Sequence, residues 1–205
     1  IKKEKSVNFD LGLKANLDNF SGSLNYFFNE IDGYIDLRPV GGINYQWRNL
    51  PGKTRIVGIE GAMEIAFTPE FYGFANGSWT WGQQRDTLGI DTIFVPPFKT
   101  YLGIGYQEKK KRYWAEVSSR IVSQQARIPL NSQGQPILDN TSGFVIFNLK
   151  GGISLFKKHS LTVALNNITD KFYIEPYNQF LAASSNLPPV PEAARNISLS
   201  LTVRY

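Results

Sequence analysis

The last ten residues of the chain, Asn196 to Tyr205, alternate strictly between apolar and polar side chains. The apolar set is Ile197, Leu199, Leu201, Val203 and Tyr205. A period of two is typical of a β-strand with one apolar and one polar face. The segment also has the roughly 9–11 residues that a tilted strand needs to cross a bilayer, and it ends on an interfacial type of aromatic ring. We therefore interpret it as the closing strand of an outer-membrane β-barrel.

The composition is compatible with a membrane protein built from strands. The chain has 205 residues with 14 Phe, 10 Tyr and 4 Trp, yet its mean hydropathy is only −0.24. No apolar run approaches the roughly 18 residues of a transmembrane helix, whereas barrel strands place only alternate residues in lipid and so score as mildly polar. Cysteine is absent, which excludes a disulfide scaffold and thiolate metal sites.

The net charge of +5 does not by itself indicate a nucleic-acid partner. The densest basic cluster, Lys109 to Arg112, is four residues long and lies between two aromatic-rich segments. Such a cluster could contact nucleic acid, but its context predicts a solvated turn, and we expect no nucleic-acid partner. The chain starts at Ile1 without an apolar leader, so for an exported protein we expect the start to have been cleaved or to lie outside this sequence.

The same alternation recurs along the chain and predicts eight strands before the terminal one. Their approximate ranges are 7–17, 20–29 with a continuation to 35 left open, 55–67, 71–81, 98–107, 113–121, 145–155 and 159–167. We predict that the apolar residues of these strands lie on the outside of the sheet. This set includes Val7, Leu11, Leu24, Val57, Ile65, Leu102, Val117, Leu149, Val163, Leu201 and Val203.

The connections between these strands alternate between short and long. The first, third, fifth and seventh take about two to four residues, and the others are long and rich in Gly and Pro, which predicts irregular backbone at 39–53 and 170–194. Aromatic residues collect beside the short turns, as an interfacial girdle would require: Phe20, Phe67, Phe71, Tyr106, Tyr113 and Tyr205. Short periplasmic turns and long extracellular loops are typical of bacterial outer-membrane barrels.

The number of strands indicates an incomplete barrel. Closed bacterial barrels have an even number of strands, from eight upward, and open edges are not tolerated in hydrocarbon. Nine strands therefore predict the C-terminal portion of a larger barrel. We expect an antiparallel sheet that does not close on itself, with residues 7–17 and 196–205 as its two free edges.

Several stretches of the chain resemble the C-terminal part of the barrel of a TonB-dependent outer-membrane receptor. They are residues 4–14, 31–35, 57–60 and 165–173, together with the terminal strand. The resemblance covers essentially the whole chain and implies an all-β, antiparallel transmembrane barrel of the 22-stranded type. The chain departs from the family where it ends in Tyr205 rather than the commoner Phe, and at 193–196, where the family often has a Gly-Arg pair.

The resemblance implies energised uptake of a scarce ligand such as an iron-siderophore, haem or cobalamin. The plug domain and the TonB-contacting segment of the family lie N-terminal to these residues, so we expect 1–205 to be the C-terminal part of the barrel domain, without a plug. The implied partners are outer-membrane lipid, the missing barrel strands and plug, a TonB-type energy-coupling protein and a small-molecule ligand. The chain would supply wall and loops, with no catalytic residue, cofactor or metal.

Two groups of residues in the long loops are candidates for ligand binding. The first loop contains Tyr45, Trp47 and Arg48, and the last contains Tyr173, Tyr177 and Phe180. Aromatic and arginine side chains concentrate at binding surfaces. The alternative is that these rings form an upper girdle at the barrel rim.

Candidate catalytic groups have simpler interpretations. His159 and Ser160 are adjacent in a strand, so they point to opposite faces and cannot pair directly. Four charged residues on the inner face, Glu60, Glu64, Glu116 and Arg120, favour a hydrated network in the lumen, because nothing nearby supplies a nucleophile, a metal-ligand set or a phosphate loop.

Two other classes of protein remain as alternatives. A small self-contained outer-membrane barrel could be an adhesin, a structural protein or a lipid-modifying enzyme, and main-chain hydrogen bonds between the first and last strands would indicate it. A soluble lipocalin-like barrel or lectin sandwich would bury its apolar face in a core. The polar opposite face disfavours this last class.

Overall fold

The computed structural model describes residues 1–41, 44–85, 95–128, 136, 139–156, 158–184 and 187–204. These residues form strands and one helix. In chain order they are β1 (Lys5–Asn16), β2 (Phe20–Asp32), β3 (Ile35–Gly41), β4 (Asn44–Asn49), β5 (Lys53–Ala66), β6 (Phe71–Arg85), β7 (Lys99–Gln107), β8 (Tyr113–Val122), β9 (Phe144–Leu155), β10 (His159–Asn166), α1 (Pro176–Ser184) and β11 (Asn196–Thr202).

Nine of the strands form one antiparallel sheet. Its order is β1-β2-β5-β6-β7-β8-β9-β10-β11, so each strand pairs with its neighbour along the chain once the small hairpin β3–β4 is set aside. The strands β1 and β11 are the two edges, and no described pairing joins them. The sheet is therefore open, as the odd strand count predicts, and it is not a small self-contained barrel.

The register gives the sheet one apolar and one polar face, because directly opposed residues on neighbouring strands project to the same side. Val57 lies opposite Phe28 and Trp81, and Leu149 lies opposite Val117 and Leu165. All eleven side chains predicted to lie outside share this apolar face, Val203 by alternation just beyond the end of β11. The prediction that these residues share one face is confirmed, and its assignment as the outer face stays a prediction.

Charged side chains are distributed differently on the two faces. The polar face carries Asp10, Lys14, Glu60, Glu64, Lys99, Glu116, Arg120 and Lys150. On the apolar face, the described charged side chains within the strands lie at one end only, where Glu30 contacts Lys53 at 2.5 Å and Arg55 at 3.2 Å. Unpaired charges are costly against a dry core, so the polar face is a hydrated surface.

The short turns all lie at one end of the sheet, which we call the short-turn end, and the long connections lie at the other, the long-connection end. The predicted row of aromatic rings follows the short-turn end of the apolar face. Ring centroids of Phe71 and Tyr106 are 5.0 Å apart, and those of Tyr106 and Tyr113 are 6.2 Å apart. Tyr205 lies outside the described residues.

The first long connection is not the irregular loop that was predicted. It contains the antiparallel hairpin β3–β4, in which Ile35 opposes Asn49 and Leu37 opposes Trp47. The register shifts between Pro39 and Gly41, so these residues lie at an irregularity in the strand instead of ending it. A two-stranded edge tolerates proline in this way, which the sequence interpretation did not consider.

The last long connection contains the helix α1, which the sequence interpretation also missed. Pro176 is its first residue, a position where the missing N–H and fixed φ of proline favour a helix. The helix has nine residues, too few for a clear helical period. Among the described helices, none has the length and apolar character needed to span a membrane.

Candidate ligand-binding site

The last long connection is fastened to the polar face through Arg120. The guanidinium of Arg120, near the long-connection end of β8, donates to both carboxylate oxygens of Glu175, and Nη2 lies 3.1 Å from Oε2. Arg120 also lies over the ring of Phe144, 5.3 Å from its centroid. The rings of Phe144 and Tyr173 pack together with their centroids 4.3 Å apart. Bidentate, charge-assisted pairs are among the stronger hydrogen-bonded contacts, so this cluster anchors the connection to the wall.

A small hydrophobic core supports this anchor. Val122, Phe144 and Ile146 are buried on the polar face at the ends of β8 and β9, and Tyr173 packs against them. Burial, and then the carboxylates of Glu192 and Glu175, raise the pKa of Tyr173 above its ordinary value. The phenol therefore stays neutral and behaves as a packing residue of the wall.

The amide of Asn167 ties the two ends of the last connection together. It is 2% exposed, donates from Nδ2 to the carbonyl oxygens of Lys171 and Ala193 at 2.9 and 3.3 Å, and accepts from Lys171 N at 2.9 Å. Its own N–H donates to Asn148 Oδ1 at 3.0 Å, and its φ is +50°, which asparagine tolerates better than most residues. Both ends of the last connection are therefore held at Asn167.

Contacts within the last connection fold it into a compact unit. Glu192 N donates to the carbonyl of Tyr173 at 3.0 Å, and the side chain of Asn178 donates to the carboxylate of Glu192. Gln179 Nε2 reaches the carbonyl of Asp139 in the preceding long connection at 2.9 Å. Two long connections therefore contact each other above the polar face.

The hairpin of the first connection contains a buried ion pair. Asp36 is 1% exposed, and its Oδ2 lies 3.1 Å from Arg38 Nη2. Burial raises the pKa of the Asp36 carboxyl, and Arg38 and the Leu37 N–H oppose that rise. The base of the hairpin is tied to the start of the chain, where Glu4 Oε1 accepts from Ile35 N at 2.6 Å.

The structure divides the candidate ligand residues of the first connection. Tyr45 and Trp47 share one face of the hairpin by alternation, whereas Arg48 projects to the other, where its Nε donates to Gln46 Oε1 at 3.2 Å. Trp47 is 54% exposed. The two rings can form one platform, but Arg48 cannot join them on the same face.

The candidates of the last connection also differ in environment. Tyr177 lies on α1 and is 59% exposed, whereas Tyr173 is packed into the wall. The side chain of Phe180 lies outside the described part of the chain. Of the candidate rings whose side chains are described, Trp47 and Tyr177 are the ones exposed at the surface, and their role in ligand binding stays a prediction.

The charged residues of the polar face do not converge on a catalytic centre in the described part of the chain. Arg120 is used by Glu175, and the Tyr101 hydroxyl lies 3.3 Å from Glu116 and 2.8 Å from Ser118 Oγ. The described residues contain no group of three or more His, Asp or Glu side chains placed to hold a metal ion. A groove of about 400 Å³ between β2 and β8 is lined by Glu60, Lys99, Tyr101 and Arg120, among other residues.

His159 is a strand-end residue. It begins β10, and its Nδ1 lies 3.4 Å from the backbone N of Arg204. Ser160 follows it on the opposite face, as expected from the alternation.

Sequence reasoning missed the two fastenings of the last connection. Glu175 lies 55 residues from Arg120, and no local pattern indicates that pair. The clamp at Asn167 did leave a signal, because it lies in the stretch 165–173 that carries part of the family resemblance. Within that stretch, Asn167 is the residue that holds both ends of the last connection.

Comparisons with known proteins agree with this architecture. A family model described as TonB dependent receptor-like, beta-barrel matches residues 1–168. Among curated proteins, the ferrienterobactin receptor of Escherichia coli (strain K12) is 24% identical over 182 residues, covering 83% of this chain and 24% of that receptor. The chain thus spans about a quarter of the length of this relative.

Solved structures show the same fold. The copper transporter OprC matches with a TM-score of 0.85 and 23% identity, over 98% of this chain and 31% of that one. The ferric-catecholate import receptor Fiu from E. coli K12 matches with a TM-score of 0.70 and 17% identity, over 100% of this chain and 28% of that one. Since the family model covers most of the chain and the nine-stranded sheet agrees with it, the chain belongs to the β-barrel family of TonB-dependent receptors.

Proposed function

We propose that the chain forms wall and extracellular loops of a bacterial outer-membrane receptor that takes up a scarce iron chelate. The observation that carries this proposal is the two-faced open sheet, with lipid meeting the apolar face and the polar face lining the lumen. On this arrangement the long-connection end is extracellular and the short-turn end periplasmic. The relatives named above are receptors and transporters, and we propose no catalytic role for the chain.

The remaining strands, a plug domain and a TonB-type energy-coupling protein complete the proposed receptor. Both β1 and β11 have a free edge, and an unpaired edge in hydrocarbon costs several kcal/mol per group, so further strands must pair with them. The charged polar face is suited to a hydrated lumen that holds a plug. Energy coupling through the plug is inferred from the family, and we assign no part of it to these residues.

A chelate fits the donor chemistry of this chain better than a bare copper ion. Soft ions such as Cu(I) select thiolate and thioether ligands, and Cu(II) is well suited to imidazole. The chain has no Cys, its single Met63 lies on the apolar face at 51% exposure, and its single His159 lies at the short-turn end. The extracellular connections instead present the exposed rings of Trp47 and Tyr177.

Energised transport can be tested with the full-length receptor in a host that lacks its own iron-chelate receptors. The probe is a radiolabelled ferric tris-catecholate, supplied with and without an uncoupler that collapses the proton gradient. We expect binding at the cell surface in both conditions and accumulation only with the gradient. Absence of both binding and accumulation would contradict the proposed function.

Replacing the exposed ring of Trp47 tests the extracellular loops. Trp47→Ala should weaken surface binding of the chelate by about 1–2 kcal/mol if the ring stacks on it, because exposed aromatic anchors contribute on that scale. Phe67→Ala is a matched control, since Phe67 is similarly exposed but lies at the short-turn end. An equal loss of binding in the two variants would argue against a ligand platform at Trp47.

A further inference from the structure

Four aromatic rings on the polar face lie over glycines of a neighbouring strand. The pairs are Phe27 on Gly58, Tyr72 on Gly105, Phe74 on Gly103 and Trp114 on Gly152. A Cβ added to any of these glycines would lie between 2.0 and 2.6 Å from a ring atom, closer than real Cβ contacts allow. Each ring therefore occupies the space that a side chain at the glycine would fill.

Two of these rings continue into a strip along the polar face. The centroids of Tyr72 and Phe74 are 6.3 Å apart, and those of Phe74 and Tyr101 are 5.5 Å apart, with interplanar angles of 33° and 32°. The hydroxyl of Tyr101 is held by Ser118 Oγ at 2.8 Å, which fixes the third ring. These spacings lie within the range of interacting aromatic pairs, so the three rings form one continuous surface.

The strip starts at the short-turn end of the polar face and runs towards the groove that is lined by Glu60, Lys99 and Arg120. Tyr72 is the second residue of β6, at the short-turn end, and Tyr101 lies directly opposite Arg120 towards the other end. Arg120 in turn contacts Glu175 of the last connection. Lys99, Arg120 and the carboxylate of Glu60 line the same groove as Tyr101, so the strip ends in a polar groove that carries both signs of charge.

We propose that Tyr72, Phe74 and Tyr101 form a lumenal path on which the planar aromatic rings of an iron chelate stack during its passage. The inference rests on the proposed function and names the chemical class of its ligand. Aromatic faces bind planar groups without demanding a fixed register, and successive rings at 5.5 and 6.3 Å offer equivalent positions. The three rings therefore offer the aromatic groups of the chelate successive contacts along the lumen.

The test separates passage from capture at the surface. The full-length receptor carries the double variant Phe74→Leu with Tyr101→Leu, which keeps apolar volume but removes two π faces. With ferric tris-catecholate as probe, we expect surface binding without a proton gradient to stay within about twofold of wild type. The initial rate of energised uptake should fall about fivefold to tenfold, the scale of losing one or two aromatic contacts.

Two further variants distinguish a path from a structural role. Phe27→Leu removes a ring that also covers a glycine but lies on β2, two strands from β6, and it should leave uptake unchanged. Phe74→Tyr retains the π face and should retain uptake. Folded receptor in the membrane is quantified for every variant from its heat-modifiable mobility.

Each contrary result has a definite meaning. Unchanged uptake in the double variant, or an equal loss in Phe27→Leu, would overturn the path and leave the rings as supports for the glycines or packing for the plug. If the wild-type receptor neither binds nor accumulates the probe, the proposed function is wrong and the path falls with it. If the wild type takes up the probe and the double variant does so at the same rate, the path is overturned but the proposed function stands.

Discussion

At the scale of single residues, the contact between Arg120 and Glu175 controls how firmly the last connection is held. Glu175→Gln keeps the shape of the side chain but removes its charge, leaving the half-buried guanidinium without a carboxylate. We expect a local loss of about 1–2 kcal/mol, because hydrogen bonds to charged groups contribute on that scale. The matched control is Glu64→Gln, which removes a charge on the polar face at β5.

Limited proteolysis of intact cells measures this loss. Cleavage within residues 171–194 should become about 5- to 30-fold faster in Glu175→Gln, which is the ratio that corresponds to about 1–2 kcal/mol of local opening. Cleavage in the control should match wild type. Equal protection in Glu175→Gln and wild type would mean that Asn167 and Tyr173 alone hold the connection.

The buried carboxyl of Asp36 predicts a pH dependence of the first connection. Its pKa is raised in the folded hairpin by burial, so the folded state binds more protons than the unfolded state between the ordinary and the raised pKa. Hairpin stability is therefore greatest below the ordinary value and falls as the pH rises through the raised one. Hydrogen exchange of β3 and β4, corrected for intrinsic rates, should show this fall, and Asp36→Asn should abolish it.

Glu108 in the turn between β7 and β8 provides a contrast of opposite sign. Its hydrogen bonds with Arg112 lower the pKa of the Glu108 carboxyl, so the contribution of this contact is present above the ordinary value and is lost as the pH falls through the lowered one. Exchange in the turn should increase under acid conditions while exchange in the hairpin decreases. Parallel changes in the two segments would show that the Asp36 assignment is wrong.

At the scale of elements, the alternation predicted the strands because it directly reports which face each residue occupies. The predicted range 98–107 corresponds to β7 (Lys99–Gln107), and the predicted range 159–167 corresponds to β10 (His159–Asn166). The hairpin β3–β4 was missed because Pro39 and Gly41 normally interrupt a strand. The helix α1 was missed because it is short, and the Arg120–Glu175 contact because it joins distant parts of the chain.

The face assignment can be tested on two adjacent residues of β11. Leu199 lies on the apolar face opposite Val163, in the middle of β10, whereas Ser200 lies on the polar face. Leu199→Arg should destabilise the full receptor by about 2–4 kcal/mol if it meets the centre of the bilayer, and Ser200→Arg should cost much less. Reversible unfolding in lipid vesicles measures both, and equal costs would invert or abolish the two faces.

At the scale of the whole molecule, the apolar face has the height of a bilayer. Along β6, Phe71 begins the strand at the short-turn end and Trp81 lies ten positions later on the same face. At about 3.3 Å per residue these positions are about 33 Å apart, which projects to about 25 Å for a strand tilted by about 40°. The ion pairs of Glu30 with Lys53 and Arg55 lie beyond this band, where polar head groups are available.

The two free edges predict that residues 1–205 cannot form a stable barrel wall by themselves. Both β1 and β11 would place a row of unpaired N–H and C=O groups in hydrocarbon, at several kcal/mol each. Refolded alone into lipid vesicles, the segment should associate through its edges into oligomers or remain sensitive to protease, whereas the full receptor gives a resistant, heat-modifiable monomer. A resistant monomer of 1–205 would require β1 and β11 to pair with each other, contrary to the strand order in this structure.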